Sequence, residues 1–163
     1  MSRASPVVRR RTAGVLAARA VTAPGDTTKR VSSAEQKQLV LILARAFASN
    51  LSTPTLLVDT RGYLVYYNEA AELVVGRRFA ETGELPIDEW LEPFAQRTST
   101  GDRLPREQQP TWIALNERQP GHSRYTVTST DGVEREVDVS AFPLFAQADE
   151  FVGAIVLFWR RRA

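Results

Sequence analysis

Residues 55–76 read Thr55-Leu56-Leu57-Val58-Asp59-Thr60-Arg61-Gly62-Tyr63-Leu64-Val65-Tyr66-Tyr67-Asn68-Glu69-Ala70-Ala71-Glu72-Leu73-Val74-Val75-Gly76. Thr55 to Asp59 and Tyr63 to Tyr67 are rich in aliphatic, β-branched and aromatic residues, so both are predicted as strands. Thr60-Arg61-Gly62 between them reads as a hairpin turn, with Asp59 placed to accept from the turn amides. Period-two alternation puts Leu64 and Tyr66 on one face of the second strand. Asn68 then offers an N-cap to a short helix over 69–75, and Gly76 a natural stop.

Upstream, Ser32-Ser33-Ala34-Glu35 has the spacing of a capping box. Leu39, Ile42, Leu43, Ala46 and Phe47 follow at three- and four-residue steps, which predicts an amphipathic helix over 33–51. Its apolar stripe either covers its own domain or also pairs with a second copy of the chain, so these five residues are the candidate dimer interface. Residues 1–32 mix Arg, Ala, Thr, Val and Pro without a sustained period and read as a disordered basic tail. Their Arg- and Ala-rich start is transit-peptide-like in composition, while Arg19 interrupts the only apolar stretch that a secretory leader would need.

Downstream, residues 77–104 read as irregular, with short helices at Ile87 to Leu91 and Pro93 to Ala95. Pro110 suits the first turn of a helix running Thr111 to Arg118, closed by Pro120-Gly121. Three strands follow, Ser123 to Ser129, Glu134 to Leu144 and Phe151 to Trp159, with Asp131-Gly132 as a hairpin signal. Val137, Val139 and Ala141 alternate with Glu136, Asp138 and Ser140, giving one buried and one wet face. Phe151 to Trp159 is apolar on both faces, as a central strand is when something covers both sides of its sheet. The helix at 33–51 is the obvious cover for one side.

Of the 163 residues, 43% are hydrophobic and 25% charged, ordinary for one globular domain with extensions. The chain has no cysteine, which excludes disulfide scaffolds, thiolate metal sites and cysteine nucleophiles. No apolar run approaches the roughly 18 residues of a membrane span. Residues 35–159 hold 11 Lys and Arg against 18 Asp and Glu, a net charge of −7, whereas residues 1–34 hold seven basic residues and one acid. An acidic body argues against a folded nucleic-acid-binding surface. Only the basic ends, Arg9-Arg10-Arg11 above all, offer contact with nucleic acid, anionic lipid or an acidic protein. The alternative is a solubilising extension. The 19 arginines against two lysines fit a base-composition bias better than phosphate recognition. No phosphate-binding loop, nucleophile elbow or metal spacing occurs, and Glu134, Glu136 and Asp138 read as a solvated strand face. An enzyme is not expected.

The order of elements, and the local sequences Leu57-Val58-Asp59-Thr60-Arg61-Gly62, Tyr66-Tyr67-Asn68-Glu69-Ala70-Ala71, Gly101-Asp102-Arg103-Leu104-Pro105, Ser140-Ala141-Phe142-Pro143-Leu144 and Val152-Gly153-Ala154-Ile155-Val156, resemble the PAS sensor family over roughly residues 52–160. The resemblance implies an α+β fold, a five-stranded antiparallel sheet with short helices enclosing a pocket on one face and an N-terminal amphipathic helix. It further implies a cytoplasmic, non-enzymatic signalling module, commonly a homodimer, that binds haem, a flavin, a small carboxylate, a fatty acid or nothing. His122, the single histidine, is the only candidate haem ligand and reads rather as a loop residue after the helix. Flavin chemistry through a cysteinyl bond is excluded; a non-covalent flavin would have Trp112 or Tyr125 to stack on. A small apolar ligand would be lined by Leu64, Tyr66, Trp112, Leu115, Tyr125, Val127, Val137 and Val139, and the competing reading is a filled core. The chain ends at Arg160-Arg161-Arg162-Ala163, so the expected output is through a separate signalling protein or the basic tail rather than a domain in cis.

Overall fold

The capping box forms as its spacing requires. Glu35 N donates to Ser32 Oγ at 3.3 Å and Ser32 N to the Glu35 carboxylate at 2.8 Å, opening helix α1, Ser33–Ser49. The computed structural model describes residues 32–128, 132–147 and 149–160. The basic tail and its expected disorder therefore lie outside the described residues.

Among the described residues seven strands form one antiparallel sheet: β1 (Thr55–Asp59), β2 (Tyr63–Tyr67), β3 (Leu85–Pro86), β4 (Ala95–Arg97), β5 (Gly121–Thr128), β6 (Glu134–Phe145) and β7 (Phe151–Arg160). Their order is β3-β2-β1-β7-β6-β5-β4. The five expected strands are its body, and β3 and β4 are additions of two and three residues at the edges. β7 lies at the centre, as its two apolar faces predict. Gly153 there is obligatory: its φ is +149°, and a Cβ on it would stand 2.2 Å from the Val58 carbonyl oxygen of β1.

Leu56, Val58, Val137, Val139, Ala141, Ala154 and Val156 face one side of the sheet and form the core with Ala71, Trp90, Leu104 and Ala114. That side is enclosed by helices α2 (Glu69–Val75), α3 (Phe79–Thr82), α4 (Ile87–Leu91) and α5 (Pro110–Trp112). α1 lies on β1, β2, β6 and β7. It turns Val40, Leu41, Ala44 and Ala48 toward cover. The predicted stripe points elsewhere: Leu39, Ile42, Leu43 and Phe47 stay 51–60% exposed, and Ala46 is exposed beside them. α1 thus has two apolar faces, and the stripe is not the one that covers its own sheet.

Four expectations need correction. Pro93 to Ala95 is not helical; Ala95 begins β4, paired with Thr128. The helix expected over Thr111 to Arg118 is α-helical only at Pro110–Trp112, widens into a π-helical turn at Ile113–Glu117 and stops at Arg118, whose φ is +56°. His122 lies not in a loop but inside β5, opposite Ser140. Asp138 is not on a wet face: it is 7% exposed, because Arg124 Nε reaches its carboxylate at 3.0 Å and screens it from water.

Candidate functional site

The helices leave an inner cavity of about 70 Å³ against the core face of the sheet. Its wall carries Leu56 of β1, Val74 and Val75 of α2, Trp90 and Leu91 of α4, Tyr125 and Val127 of β5, Val137 and Val139 of β6, and Val156 of β7. Burial pushes the Tyr125 hydroxyl well above its usual range, so it stays protonated at any physiological pH. An outer cleft of about 970 Å³ adjoins this cavity, between α4, β4 and residues 103–109. Acids of α4 (Asp88, Glu89) stand on one bank and Arg97, Arg103 and Arg106 on the other. Arg106 is ion-paired to Asp88.

Four of the eight residues singled out from the sequence, Tyr125, Val127, Val137 and Val139, border this cavity. Leu64 is fully buried in the same core but behind the cavity wall. Trp112, which ends α5, and Leu115, in the π-helical turn after it, border another space of about 250 Å³ with Arg61, Asp88 and Arg106, beside the β1–β2 turn. Tyr66 is on the opposite side of the sheet. Leu57 pairs with Tyr66 but Val58 with Leu64, so Val65 is an extra residue and the alternation is broken. Tyr67, not Tyr66, therefore joins Leu64 in the core, while the guanidinium of Arg45 of α1 stacks over the Tyr66 ring at 4.7 Å. Residues missed by sequence reasoning include Trp90, Phe94 and Gln96, whose segments show no regular period; Val74 and Val75 were legible as α2 but not as cavity wall.

The cavity wall is joined to the end of α1 through Asn68. Asn68 caps α2 by accepting from Ala71 N at 3.0 Å. Its amide nitrogen lies 2.9–3.0 Å from the carbonyls of Ala48, Leu51 and Thr53, where α1 ends. At the other end of α1, Lys37 Nζ meets the Glu150 carboxylate at 2.9 Å and Ser33 donates to it. Hence α1 is pinned at its start to the β6–β7 connection and at its end to the helix that walls the cavity.

Large cofactors do not fit. Sites for drug-sized ligands run from roughly 300 Å³ upward, several times the inner cavity, so haem or a flavin would enter only if the enclosing helices moved apart. His122 is on the other side of the sheet, with its side chain 57% exposed. Its Nδ1 is 2.9 Å from Ser140 Oγ and its Nε2 3.8 Å from Asp138. Arg124 already engages that carboxylate, so Asp138 is the partner of an arginine on this sheet surface rather than the third member of a proton relay. Among the described residues no group of three or more His, Asp or Glu is arranged to hold a metal, and no helix is long and apolar enough to cross a membrane.

No protein-family model and no curated protein matches the chain. Solved structures do. The PAS domain of Bordetella pertussis BvgS aligns at 15% identity over 76% of this chain and 86% of its own, with a TM-score of 0.54. The PAS domain of nitrogen regulation protein NR(II) from Vibrio parahaemolyticus aligns at 19% over 73% and 98%, with a TM-score of 0.50. The LOV protein of Rhodobacter sphaeroides aligns at 14% over 77% and 69%, with a TM-score of 0.60. Topology and likeness together define an antiparallel sheet with one helix-enclosed face and an N-terminal helix on the other. The chain has the PAS fold.

Proposed function

We propose that this chain is a sensory module of the PAS type, non-catalytic, which binds a small ligand in the inner cavity and signals through α1 at a homodimer interface. The observation that carries this reading is Asn68, which caps the cavity-wall helix α2 and holds the carbonyls at the end of α1. A ligand that displaces Val74 or Val75 moves the element to which α1 is tied. The exposed stripe Leu39, Ile42, Leu43 and Phe47 is the surface on which a second copy pairs, and burying each such side chain is worth about 1.5–3 kcal/mol. A separate signalling protein would read the rearranged pair, in a cytoplasmic setting. The domain comprises residues 52–160, with 33–51 as the dimerisation helix.

A second reading is favoured by the small cavity: a ligand-free interaction scaffold with a nearly filled core. Native mass spectrometry separates the two. A dimer that releases a small molecule on denaturation supports the sensor. A dimer with no bound species, and no change in melting temperature across a library of small apolar compounds, overturns it in favour of the scaffold. A monomer at micromolar concentration overturns the dimer. Contact with nucleic acid through residues 1–32 is the third arrangement, and would show as binding that falls steeply with salt.

A further inference from the structure

The outer cleft carries charges on both banks that the chain does not neutralise. Arg97 and Arg103 lie directly opposite each other in an antiparallel bridge. Leu104 N donates to the Gln96 carbonyl at 3.0 Å and Thr98 N to the Asp102 carbonyl at 2.8 Å, one bond on either side of the pair. In a pair flanked in this way the two side chains leave the same face at the shortest cross-strand spacing, and like charges so placed repel. Arg97 Nη1 donates to the Gly101 carbonyl at 2.8 Å, which leaves most of its donors unused. Neither guanidinium is ion-paired among the described residues, whereas Arg106 on the same bank holds Asp88. The opposite bank repeats this with the sign reversed. Glu89 of α4 and Glu92 at its C-cap are three residues apart, on one helix face. Neither of them is ion-paired among the described residues. Both pairs border the same cleft of about 970 Å³, whose lining includes the apolar Leu91, Phe94 and Leu104.

We propose that the outer cleft binds a short peptide by its free ends, the carboxylate at Arg97 and Arg103 and the ammonium at Glu89 and Glu92. A lone anion gains the arginines but meets the glutamates of the other bank, and a lone cation the reverse. A molecule with opposite charges at its two ends satisfies both. The planar forks of two neighbouring guanidinium groups match a carboxylate. The cleft has the volume of a site for drug-sized ligands, which suits a chain of a few residues better than a single amino acid. It adjoins the inner cavity at Leu91, Phe94 and Gln96 but is a site of its own, independent of whether the cavity takes a ligand.

Di-, tri- and tetra-alanine test this, each with free ends, N-acetylated and C-amidated, so that one charge is removed at a time. The full chain, labelled with ¹⁵N, is titrated and followed by NMR at the amides of Glu89, Arg97 and Arg103, with Val137 reporting on the inner cavity. The expected result is saturable shifts at the first three amides, with either block weakening the best-fitting length about fivefold, as for ion pairs open to water. In the double variant Arg97→Gln, Arg103→Gln, amidation ceases to matter while acetylation still does. In Glu89→Gln, Glu92→Gln the dependence is reversed. Arg103→Gln alone gives the first result in part, should the double variant not fold. No saturable shift at any length, or shifts centred on Val137, overturns the proposal. So do equal affinities for free and blocked peptides, or block effects that survive in both double variants. Sensitivity to amidation alone also overturns it, since the cleft then holds an anion and not a peptide.

Discussion

The side-chain amide of Asn68 donates to the carbonyl of Ala48 at 3.0 Å, across twenty residues of sequence. Leu51 and Thr53 crowd the same nitrogen, and the Asn68 carbonyl accepts from Thr55 N and Ala71 N. Asn68 is 1% exposed, so these groups have no water to fall back on. Asn68→Ala orphans several of them at once and is expected to destabilise by about 3 kcal/mol, a few times the net value of one hydrogen bond. Asn68→Asp, which cannot donate, should cost at least as much. Urea unfolding measures both, and a loss below about 1 kcal/mol would show that α1 is not tied through this residue.

Gly153→Ala should be more damaging than any surface substitution. A Cβ at Gly153 meets the Val58 oxygen at 2.2 Å and the Asp59 Cα at 3.1 Å, both backbone of the neighbouring strand. Either the central ladder opens or the turn at Asp59 shifts. A loss of about 3 kcal/mol or more is expected. A melting temperature within a degree or two of the parent would contradict the close approach of β7 to β1.

Val139→Ile adds one methylene to the wall of the inner cavity, where Val139 is 5% exposed. With about 70 Å³ to fill, the change should stabilise the apo-protein by about 0.5–1 kcal/mol. The same variant should weaken a ligand of the cavity. Thermal unfolding with and without thiophene, a small apolar ring, separates the two effects, and destabilisation of the apo-protein would mean that the space is already taken.

Ile42→Glu and Leu43→Glu, each more than half exposed in the single chain, should leave the melting temperature of a monomer nearly unchanged while abolishing the dimer. Sedimentation velocity across a concentration series reads the difference. A dimer that survives both substitutions would place its interface elsewhere.

Acid should loosen the start of α1 before the core. Glu35 and Glu150 are both held below the ordinary carboxyl value of 4.5, Glu35 by the Ser32 amide and then its hydroxyl, Glu150 by the Ser33 hydroxyl and then Lys37. A carboxyl whose folded pKa is depressed stabilises the fold fully above its unfolded value, and that contribution disappears as pH falls through the folded one. The first turn of α1 is therefore intact from neutrality to about 4.5 and frays below it. NMR titration of the Glu35 and Glu150 carboxyls, with the Ser32 amide as reporter, checks the order. Midpoints at or above 4.5 would contradict it.

How legible this was differs by element, for physical reasons. The capping box, the β1–β2 hairpin and the central β7 follow from local chemistry and apolar runs, and all three are where the sequence places them. Tyr66 is not. Its misplacement comes from Val65, an extra residue that nothing in a run of five strand-forming side chains betrays. Gln96 was equally invisible, because β4 is three residues long and owes its existence to pairing with β5 rather than to any pattern of its own. Asn68 was readable as a cap but not as a tie. One bond of a cap is local, while the three to residues 48, 51 and 53 are made only once the chain has folded back.

Counted from Leu64, the bulge at the extra residue of β2 decides which of two neighbouring rings takes which side of the sheet. Tyr66 and Tyr67 are consecutive and so face opposite sides, one ring under Arg45 of α1 and the other 6.0 Å from Trp90 in the cavity wall. Phe79 stands edge-on to both, 5.7 Å from the first ring and 5.3 Å from the second. Two sides of a sheet that ordinarily meet only through hydrogen-bonded backbone are thus geared together by three aromatic rings at one corner. Loss of a single codon at position 65 would make the ladder regular and leave both tyrosines on their present sides, still bridged by Phe79.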